Sequence, residues 1–282
     1  MTGPVGIVAA LAAEARTLGV SRRALRRIER RSDGLAALAD GSLVAVSGMG
    51  CEAAARSARS LVEAGCGALA SWGLAGGLDP ALRAGTVVAP ETVLLDGAPG
   101  EAATLDAAAL DAAALNVAAA WRERLVRALA APIDAPSGGR APLARLAPVT
   151  GLARVTGGRL LTCLRPLASR AEKQDAHRRT GAVAVDTESY AVAEVAAAHD
   201  LPFLAVRVIV DTAGDEVPGA LAGVVDARGR IDARRLLLAL LSQPAAVGAL
   251  LKLSRRYGAA RMALRAVADG GVVLGGTTGA CE

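Results

Sequence analysis

The segment Ala68–Leu78, with the sequence ALASWGLAGGL, decides the fold class of this chain. Its first part, Ala68–Trp72, is a short apolar run of the kind that forms a strand covered on both faces. Its second part, Gly73–Leu78, is rich in glycine and predicts a tight turn from the strand into the next element. Glycines at such a turn also allow backbone N–H groups to approach a ligand closely.

The same alternation of strand and helix continues on both sides of this segment. Helical spacing follows Gly50 as far as Ala64, and a second helix is predicted at Ser189–Ala198. Further strands are predicted at Val5–Ala10, Leu43–Val46, Thr86–Ala89, Val183–Val185 and Phe203–Val210. This order predicts the α/β class, with a twisted, mostly parallel mixed sheet flanked by helices.

The length and the composition favour one large domain. The chain has 282 residues, of which 53% are hydrophobic, enough for one well-buried core. From Ile231 onward leucines and arginines follow helical spacing, and Pro244 divides this region into two helices. We therefore predict one α/β domain over residues 1–230 and a C-terminal helical appendage over residues 231–282, packed on the same domain. A helix ending near Leu129 and a proline-rich loop at Ala135–Pro148 are predicted between the sheet strands.

Composition also excludes several classes of function and site. Aromatic residues make up only 2% of the chain, and the net charge of +5 forms no basic stripe interleaved with aromatics, so we expect no nucleic-acid partner. The four cysteines form no C-x-x-C pair, which argues against a metal site and for a reducing compartment. No basic residues precede the first apolar run and no run is long enough to span a bilayer. The expected location is the cytoplasm, with peripheral contact to the inner membrane left open.

Three acidic residues follow predicted strands: Glu14, Glu188 and Asp211. Ligands in open α/β sheets bind outside the carboxyl ends of the strands, so these residues are candidates for one site. A buried carboxylate has a shifted pKa, which is how general acids and bases arise. Each acid by itself is also explained as a loop residue or a helix cap, and the three together name no reaction. Ser47 and Ser189 lack a histidine partner, so a serine triad is not expected.

With these residues in view, the chain resembles the purine nucleoside phosphorylase and nucleosidase superfamily. Five short motifs occur in the order expected of that superfamily, and together they span Val5–Asp211. They are Val5–Glu14, Val46–Gly50, Gly73–Leu78 followed by Gly85–Val88, Val185–Ser189 and Val206–Asp211. The resemblance implies the fold of that superfamily and cleavage of a purine nucleoside at its N-glycosidic bond.

A narrower resemblance is to the hopanoid-biosynthesis-associated phosphorylases. It is carried by Leu11–Arg16, Gly73–Pro80, Val185–Ser189, Val225–Ile231 and the leucine- and arginine-rich C-terminal helices. It implies phosphorolysis of adenosylhopane, in which the 5′ carbon of the ribose carries a pentacyclic hydrocarbon, with release of adenine. The C-terminal helices are then candidates for receiving the hydrocarbon or resting on a membrane.

The resemblance also implies roles for individual residues. Asp211 would protonate N7 of the purine, and apolar Ile209 and Val210 beside it would favour its protonated form. Glu188 would hold the ribose hydroxyls, and Glu14 would orient or deprotonate the nucleophile. The substrate-binding residues would be Met49, Leu74, Ala75, Gly76, Leu160 and Thr187. Leu74, Leu160 and Thr187 depart from the superfamily pattern, which usually has Ser or Thr, Phe and Met at these places.

The nucleophile remains open between phosphate and water. Arg16 and Arg207 are candidate phosphate ligands, which favours phosphate as a co-substrate; no other cofactor and no metal are expected. Against this, the chain lacks a Gly-Asp-Pro-x-Arg phosphate motif, and Glu14 repels an anion. We favour phosphorolysis, with a methylthioadenosine or adenosylhomocysteine nucleosidase as the first alternative. A catalytically silent nucleoside-binding or membrane-associated protein is the second, and a homo-oligomer is compatible with all three.

Overall fold

The computed structural model describes residues 3–21, 34–96, 111–130, 155–216 and 246–270. Within these ranges eleven strands form one mixed sheet with helices packed against it, which confirms the predicted fold class. The helices are α1 (Ala12–Ala15), α2 (Cys51–Glu63), α3 (Ala119–Ala130), α4 (Arg170–Thr180), α5 (Ser189–Ala198) and α6 (Ala246–Asp269), with a 3-10 helix at Arg16–Leu18. The strands are β1 (Val5–Ala9), β2 (Leu35–Ala37), β3 (Leu43–Val46), β4 (Ala68–Gly77), β5 (Val87–Val88), β6 (Thr92–Leu95), β7 (Leu115–Asn116), β8 (Val155–Thr156), β9 (Arg159–Thr162), β10 (Ala182–Asp186) and β11 (Phe203–Asp211).

The strand order of the sheet is β2-β3-β1-β4-β10-β9-β6-β7, and β11 pairs with β4 and β5. Six of the ten strand pairings are parallel, as expected for crossovers through helices. At the centre, Trp72 of β4 lies opposite Ala9 of β1 on one side and Val206 of β11 on the other. Because β1, β4 and β11 are parallel, their carboxyl ends meet at one edge of the sheet.

The turn predicted at Gly73–Leu78 is wrong, because β4 continues as a strand to Gly77. Its first half lies between β1 and β11, and Gly76 and Gly77 pair antiparallel with β10. Gly73 is required for packing, since a Cβ there would lie 2.8 Å from Glu14 Oε1 and 3.1 Å from Arg207 Nη1. The glycines therefore make room for charged side chains over a strand, which a sequence pattern cannot distinguish from a turn.

The central strands and α5 form most of the core. Trp72 is almost fully buried, and its indole N–H donates to the Thr17 hydroxyl at 2.8 Å, so its polar atom is satisfied. Helix α5 packs closely against α2 and β4. Its buried face is largely alanine, including Ala191, Ala193 and Ala196. Small side chains on this face permit the close approach and place the start of α5 directly after β10.

Helix α6 packs on β11 and on the 3-10 helix through Ala260, Ala263, Leu264 and Val267. Arg256 of α6 also forms an ion pair with Asp215, which follows β11. The break at Pro244, the loop at Ala135–Pro148 and the motif at Val225–Ile231 lie outside the described residues. The division into residues 1–230 and 231–282 stays a prediction. Within the described residues, no helix combines the length and the apolar character needed to cross a membrane.

Candidate active site

A cavity of about 290 Å³ lies beyond the carboxyl ends of β1, β4, β10 and β11. Its size is close to the lower end of small-molecule sites in proteins, which span roughly 300–1,000 Å³. Four acidic residues line it: Glu14, Asp186, Glu188 and Asp211. The three acids singled out in the sequence therefore share one cavity although they come from distant parts of the chain.

Glu14 lies in α1, directly after β1, and is only 4% exposed. Both of its carboxylate oxygens accept backbone hydrogen bonds, from Leu11 N at 2.9 Å and from Leu74 N at 3.0 Å. Burial raises the pKa of Glu14 to about 7, although the nearby Arg207 guanidinium opposes the shift. A carboxylate that titrates near neutral pH is suited to act as a general base.

Glu188 lies between the end of β10 and the start of α5 and is 6% exposed. Its Oε1 accepts a hydrogen bond from Gly50 N at 2.9 Å and another from the Thr187 hydroxyl. Burial raises the pKa of Glu188, and the Asp186 carboxylate raises it further. Since Oε1 is occupied by protein donors, Oε2 is the oxygen left for a ligand in the cavity.

Arg207 and Asp186 form a buried ion pair behind these acids, with side chains 3% and 1% exposed. The Arg207 guanidinium donates to Asp186 Oδ2 at 2.8 Å, to Ser71 Oγ at 2.7 Å and to its neighbour's carbonyl at 3.4 Å. Asp186 also accepts from the Thr162 hydroxyl at 2.7 Å. Arg207 thus balances part of the negative charge of Glu14, Asp186 and Glu188 from outside the cavity lining.

Asp211 ends β11 opposite Gly76 of β4, where a Cβ would lie 3.4 Å from Asp211 Oδ2. Its nearest charged partner is Lys173 of α4, whose ammonium donates to Asp211 Oδ2. Its neighbours in the sequence, Ile209 and Val210, predicted apolar surroundings for this carboxyl group. The structure corrects that view, because an ammonium group 38 residues away in the chain lies against it.

The rest of the cavity wall is apolar. It includes Leu11 after β1, Met49 before α2, Leu167 before α4 and Val210 in β11. Helix α6 adds Tyr257, and Arg261 lies over its ring at 5.8 Å from the centroid. The cavity therefore has an acidic part and an apolar part, as expected for a ligand with a polar core and a hydrophobic substituent.

Eight of the site residues named from the sequence line this cavity: Glu14, Met49, Leu74, Ala75, Gly76, Thr187, Glu188 and Asp211. Leu160 is fully buried in β9 and lies outside the lining, as do Arg16 and Arg207. The Nε atom of Arg16 is buried and has no hydrogen-bond partner among the described residues.

Lys173 and Tyr257 were not predicted as residues of the site. The only hint in the sequence was the rarity of these residue types, since the chain contains two lysines and two tyrosines. Asp186 also lines the cavity without having been predicted as a site residue. It accepts from Ser189 N at the start of α5, but its stronger contact is with Arg207.

In the described part of the chain, no group of histidine, cysteine and acidic residues is arranged to hold a metal ion. Cys51, Cys66 and Cys163 are free thiols. Burial raises the pKa of each thiol well above its usual value, so none resembles an activated nucleophile.

Residues 5–242 of this chain match the phosphorylase superfamily. The chain belongs to that superfamily. The match covers most of the chain and confirms the predicted class of enzyme, a nucleoside phosphorylase or nucleosidase. It ends before α6, so Tyr257 comes from a segment that the match does not include.

Several solved structures share the fold. The 5′-methylthioadenosine/S-adenosylhomocysteine nucleosidase of Campylobacter jejuni has a TM-score of 0.57 and 14% identity, over 95% of this chain and 98% of that chain. The Neisseria meningitidis nucleosidase of the same name, in complex with methylthio-immucillin-A, has a TM-score of 0.55 and 18% identity, over 95% and 100% of the two chains. The Helicobacter pylori nucleosidase with butyl-thio-DADMe-Immucillin-A has a TM-score of 0.53 and 16% identity, over 86% and 99%. No curated protein sequence matches this chain.

Proposed function

We propose that this protein hydrolyses the N-glycosidic bond of an adenine nucleoside that carries an apolar 5′ substituent. The observation that carries the proposal is the cavity lining, which contains four carboxyl groups and, among the described residues, no arginine, lysine or histidine. An acid for the purine, a carboxylate for the ribose and a base for water are all present in it. The relatives of known structure named above are nucleosidases, which supports the same reaction.

Each acid has one task in this reaction. Asp211 donates its proton to N7 as the C1′–N9 bond breaks and its electron pair moves onto the purine. Glu188 accepts hydrogen bonds from the ribose hydroxyls and stabilises the positive charge that develops at C1′. Glu14 accepts a proton from water while the water oxygen bonds to C1′. The products are adenine and the free sugar, and exchange with solvent restores both protonation states.

The charge of the cavity favours water over phosphate as the nucleophile. A phosphate dianion would have to enter beside Glu14, Asp186 and Glu188, which repel it. Of the two arginines considered as phosphate ligands, Arg207 is already paired with Asp186 and Arg16 lies outside the lining. The preference for phosphorolysis derived from the sequence is therefore replaced by hydrolysis.

The apolar part of the lining supports an apolar 5′ substituent. Once the acidic part holds the purine N7, the ribose and the water, Met49, Leu167 and Tyr257 remain for the group on C5′. Burial of such a group contributes about 25 cal/mol per Å² of apolar surface. Adenosylhopane remains a candidate substrate on this basis, and a short alkylthio group is the other.

Adenine release from adenosine, methylthioadenosine and adenosylhopane tests the proposal, each with and without phosphate. We expect release in phosphate-free buffer, free sugar as the second product and no acceleration by phosphate. Release only with phosphate, with a sugar phosphate as product, would restore phosphorolysis. An absence of adenine release from all three nucleosides would favour the second alternative, a catalytically silent protein.

Replacing Tyr257 with alanine is expected to change the 5′ preference of the enzyme. The loss of one aromatic wall should raise KM for the long-chain nucleoside about tenfold, while adenosine, which lacks the substituent, changes little. Met262→Ala is the matched control, because Met262 is an exposed residue of the same helix. Equal changes in KM for both nucleosides would contradict the assignment of this wall to the 5′ group.

The raised pKa of Glu14 predicts the acidic side of the pH profile. A general base acts only when ionised, so kcat/KM should fall about tenfold per pH unit below pH ~7. Initial rates of adenine release between pH 5 and pH 9 measure this limb. A limb near the ordinary glutamate value of 4.5 would mean that Glu14 is not the base.

A further inference from the structure

We propose that Lys173 is a positioning residue for Asp211, orienting its carboxyl group and stabilising the negative charge left after proton transfer to the purine. The inference rests on the proposed function, in which Asp211 is the acid. It assigns a task to a residue outside the cavity lining, on a helix that contributes no other charged group to the site.

The geometry around Lys173 is that of a built site. Its side chain is fully buried, whereas the Asp211 side chain is 16% exposed. Besides Asp211 Oδ2, its ammonium donates to the carbonyl oxygens of Thr212 at 3.0 Å and Asp215 at 3.2 Å. A lysine ammonium has three hydrogens, so these three acceptors satisfy it completely. A buried ammonium is tolerated only with such pairing, which argues against an accidental contact.

The local sequence explains why Lys173 reaches this place. Helix α4 begins with a capping box, in which Ser169 Oγ accepts from Glu172 N at 3.2 Å and Glu172 accepts from Ser169 N at 3.0 Å. The cap fixes the first turn of the helix, and Lys173 is the next residue. The turn after β11 is fixed in the same way, since Asp215 accepts from Thr212 N at 2.9 Å. Both sides of the contact are therefore held by local hydrogen bonds.

Proton transfer from Asp211 gives the chemical reason for a cation here. As N7 gains the proton, the O–H bond of Asp211 breaks and a carboxylate remains. Lys173 holds Oδ2, which leaves Oδ1 to exchange the proton with the purine. Fixed charge aimed at a group that becomes charged during reaction lowers the barrier without reorganisation.

The other charged groups near this pair have partners of their own and do not contact Asp211. Arg256 of α6 pairs with the Asp215 carboxylate, and Arg170 lies 3.9 Å from Glu216. His177 of α4 bonds to the carbonyl of Ala182. The remaining titratable groups facing the cavity are Glu14, Asp186, Glu188 and Tyr257. Lys173 is thus the cation in direct contact with Asp211.

The first test compares three lysine variants in adenine release. Lys173→Met should lower kcat about 10²-fold, as for loss of one stabilising charge, with little change in KM. Lys173→Arg, which keeps the charge, should recover most of this activity. Lys252→Met is the control, because Lys252 is the other lysine of the chain and should retain full activity. An unchanged kcat in Lys173→Met would overturn the proposal.

A double variant separates this role from a purely structural one. In an Asp211→Asn background, Lys173→Met should alter kcat less than about threefold. Because this double variant leaves no unpaired buried charge, we expect it to fold even if Lys173→Met alone does not. Independent, multiplicative losses in the two single variants would contradict the proposal.

A spectroscopic measurement tests the contact without any substrate. With ¹⁵N-labelled lysine, the two lysines give two side-chain signals, and Lys252→Arg assigns them. The Lys173 ammonium should exchange slowly with solvent, and its shift should respond to Asp211→Asn. If this response occurs while no nucleoside is cleaved, the charge pair is supported and the proposed function alone fails. If the Lys173 signal is unaffected, the pairing itself is refuted.

Discussion

Glu188→Gln is expected to lower kcat for adenine release about 10²–10³-fold while leaving the fold intact. Glutamine retains an oxygen at the Oε1 position, which can still accept from Gly50 N and the Thr187 hydroxyl. The change therefore acts on the other atom, where an amide N–H₂ replaces the carboxylate oxygen that faces the cavity. A donor there cannot accept from the ribose hydroxyls, and the stabilising charge for C1′ is lost.

The variant should also become more stable than the parent protein as pH rises above the ordinary glutamate value of 4.5. The pKa of Glu188 is raised by burial, so the folded state retains its proton above the ordinary value of 4.5. Stability from this proton is lost as pH rises through the raised pKa, and glutamine has no such loss. Glu194→Gln is the control, an equal change of charge on the exposed face of α5. Loss of activity accompanied by a lower melting temperature would indicate a structural role for Glu188 instead.

Arg207→Met should produce the largest loss of stability, about 3–5 kcal/mol in the free energy of unfolding. The side chains of Arg207 and Asp186 are almost fully buried, and Arg207 supplies the charge that offsets Glu14, Asp186 and Glu188. Methionine leaves Asp186 as an unpaired buried carboxylate beside two other acids. Because protonation relieves this repulsion, the loss should be smaller at pH 5 than at pH 8.

Urea unfolding at both pH values measures this effect, with Arg179→Met as the control. Arg179 pairs with Asp96 and Asp175, but its side chain is 42% exposed, and surface pairs contribute at most about 1 kcal/mol. Comparable losses in the two variants would mean that burial of the Arg207 pair has no special energetic importance. A loss independent of pH would exclude carboxylate repulsion as its cause.

Local patterns in the sequence were sufficient to locate six of the eleven strands, in whole or in part, and the three acids. Apolar runs such as Leu43–Val46 and Phe203–Val206 are largely buried on both faces, and a continuous run of this kind can be recognised from residue type. An acid that follows such a run lies near the carboxyl end of its strand, and the carboxyl ends of parallel strands meet at one edge of the sheet. For this reason Glu14, Glu188 and Asp211 could be proposed as one site, although β10 pairs antiparallel with β4.

The sequence by itself determined the α/β class, the order of most strands and helices, and the edge at which the acids gather, because these depend on residues adjacent in the chain. Only the tertiary structure decided that Gly73 lies within a strand beneath Glu14 and Arg207, and that Lys173 contacts Asp211. It also placed Tyr257 of α6 in the cavity wall and paired Arg207 with Asp186. These contacts join residues far apart in the chain, and their charge and burial exist only once the sheet has brought those residues together.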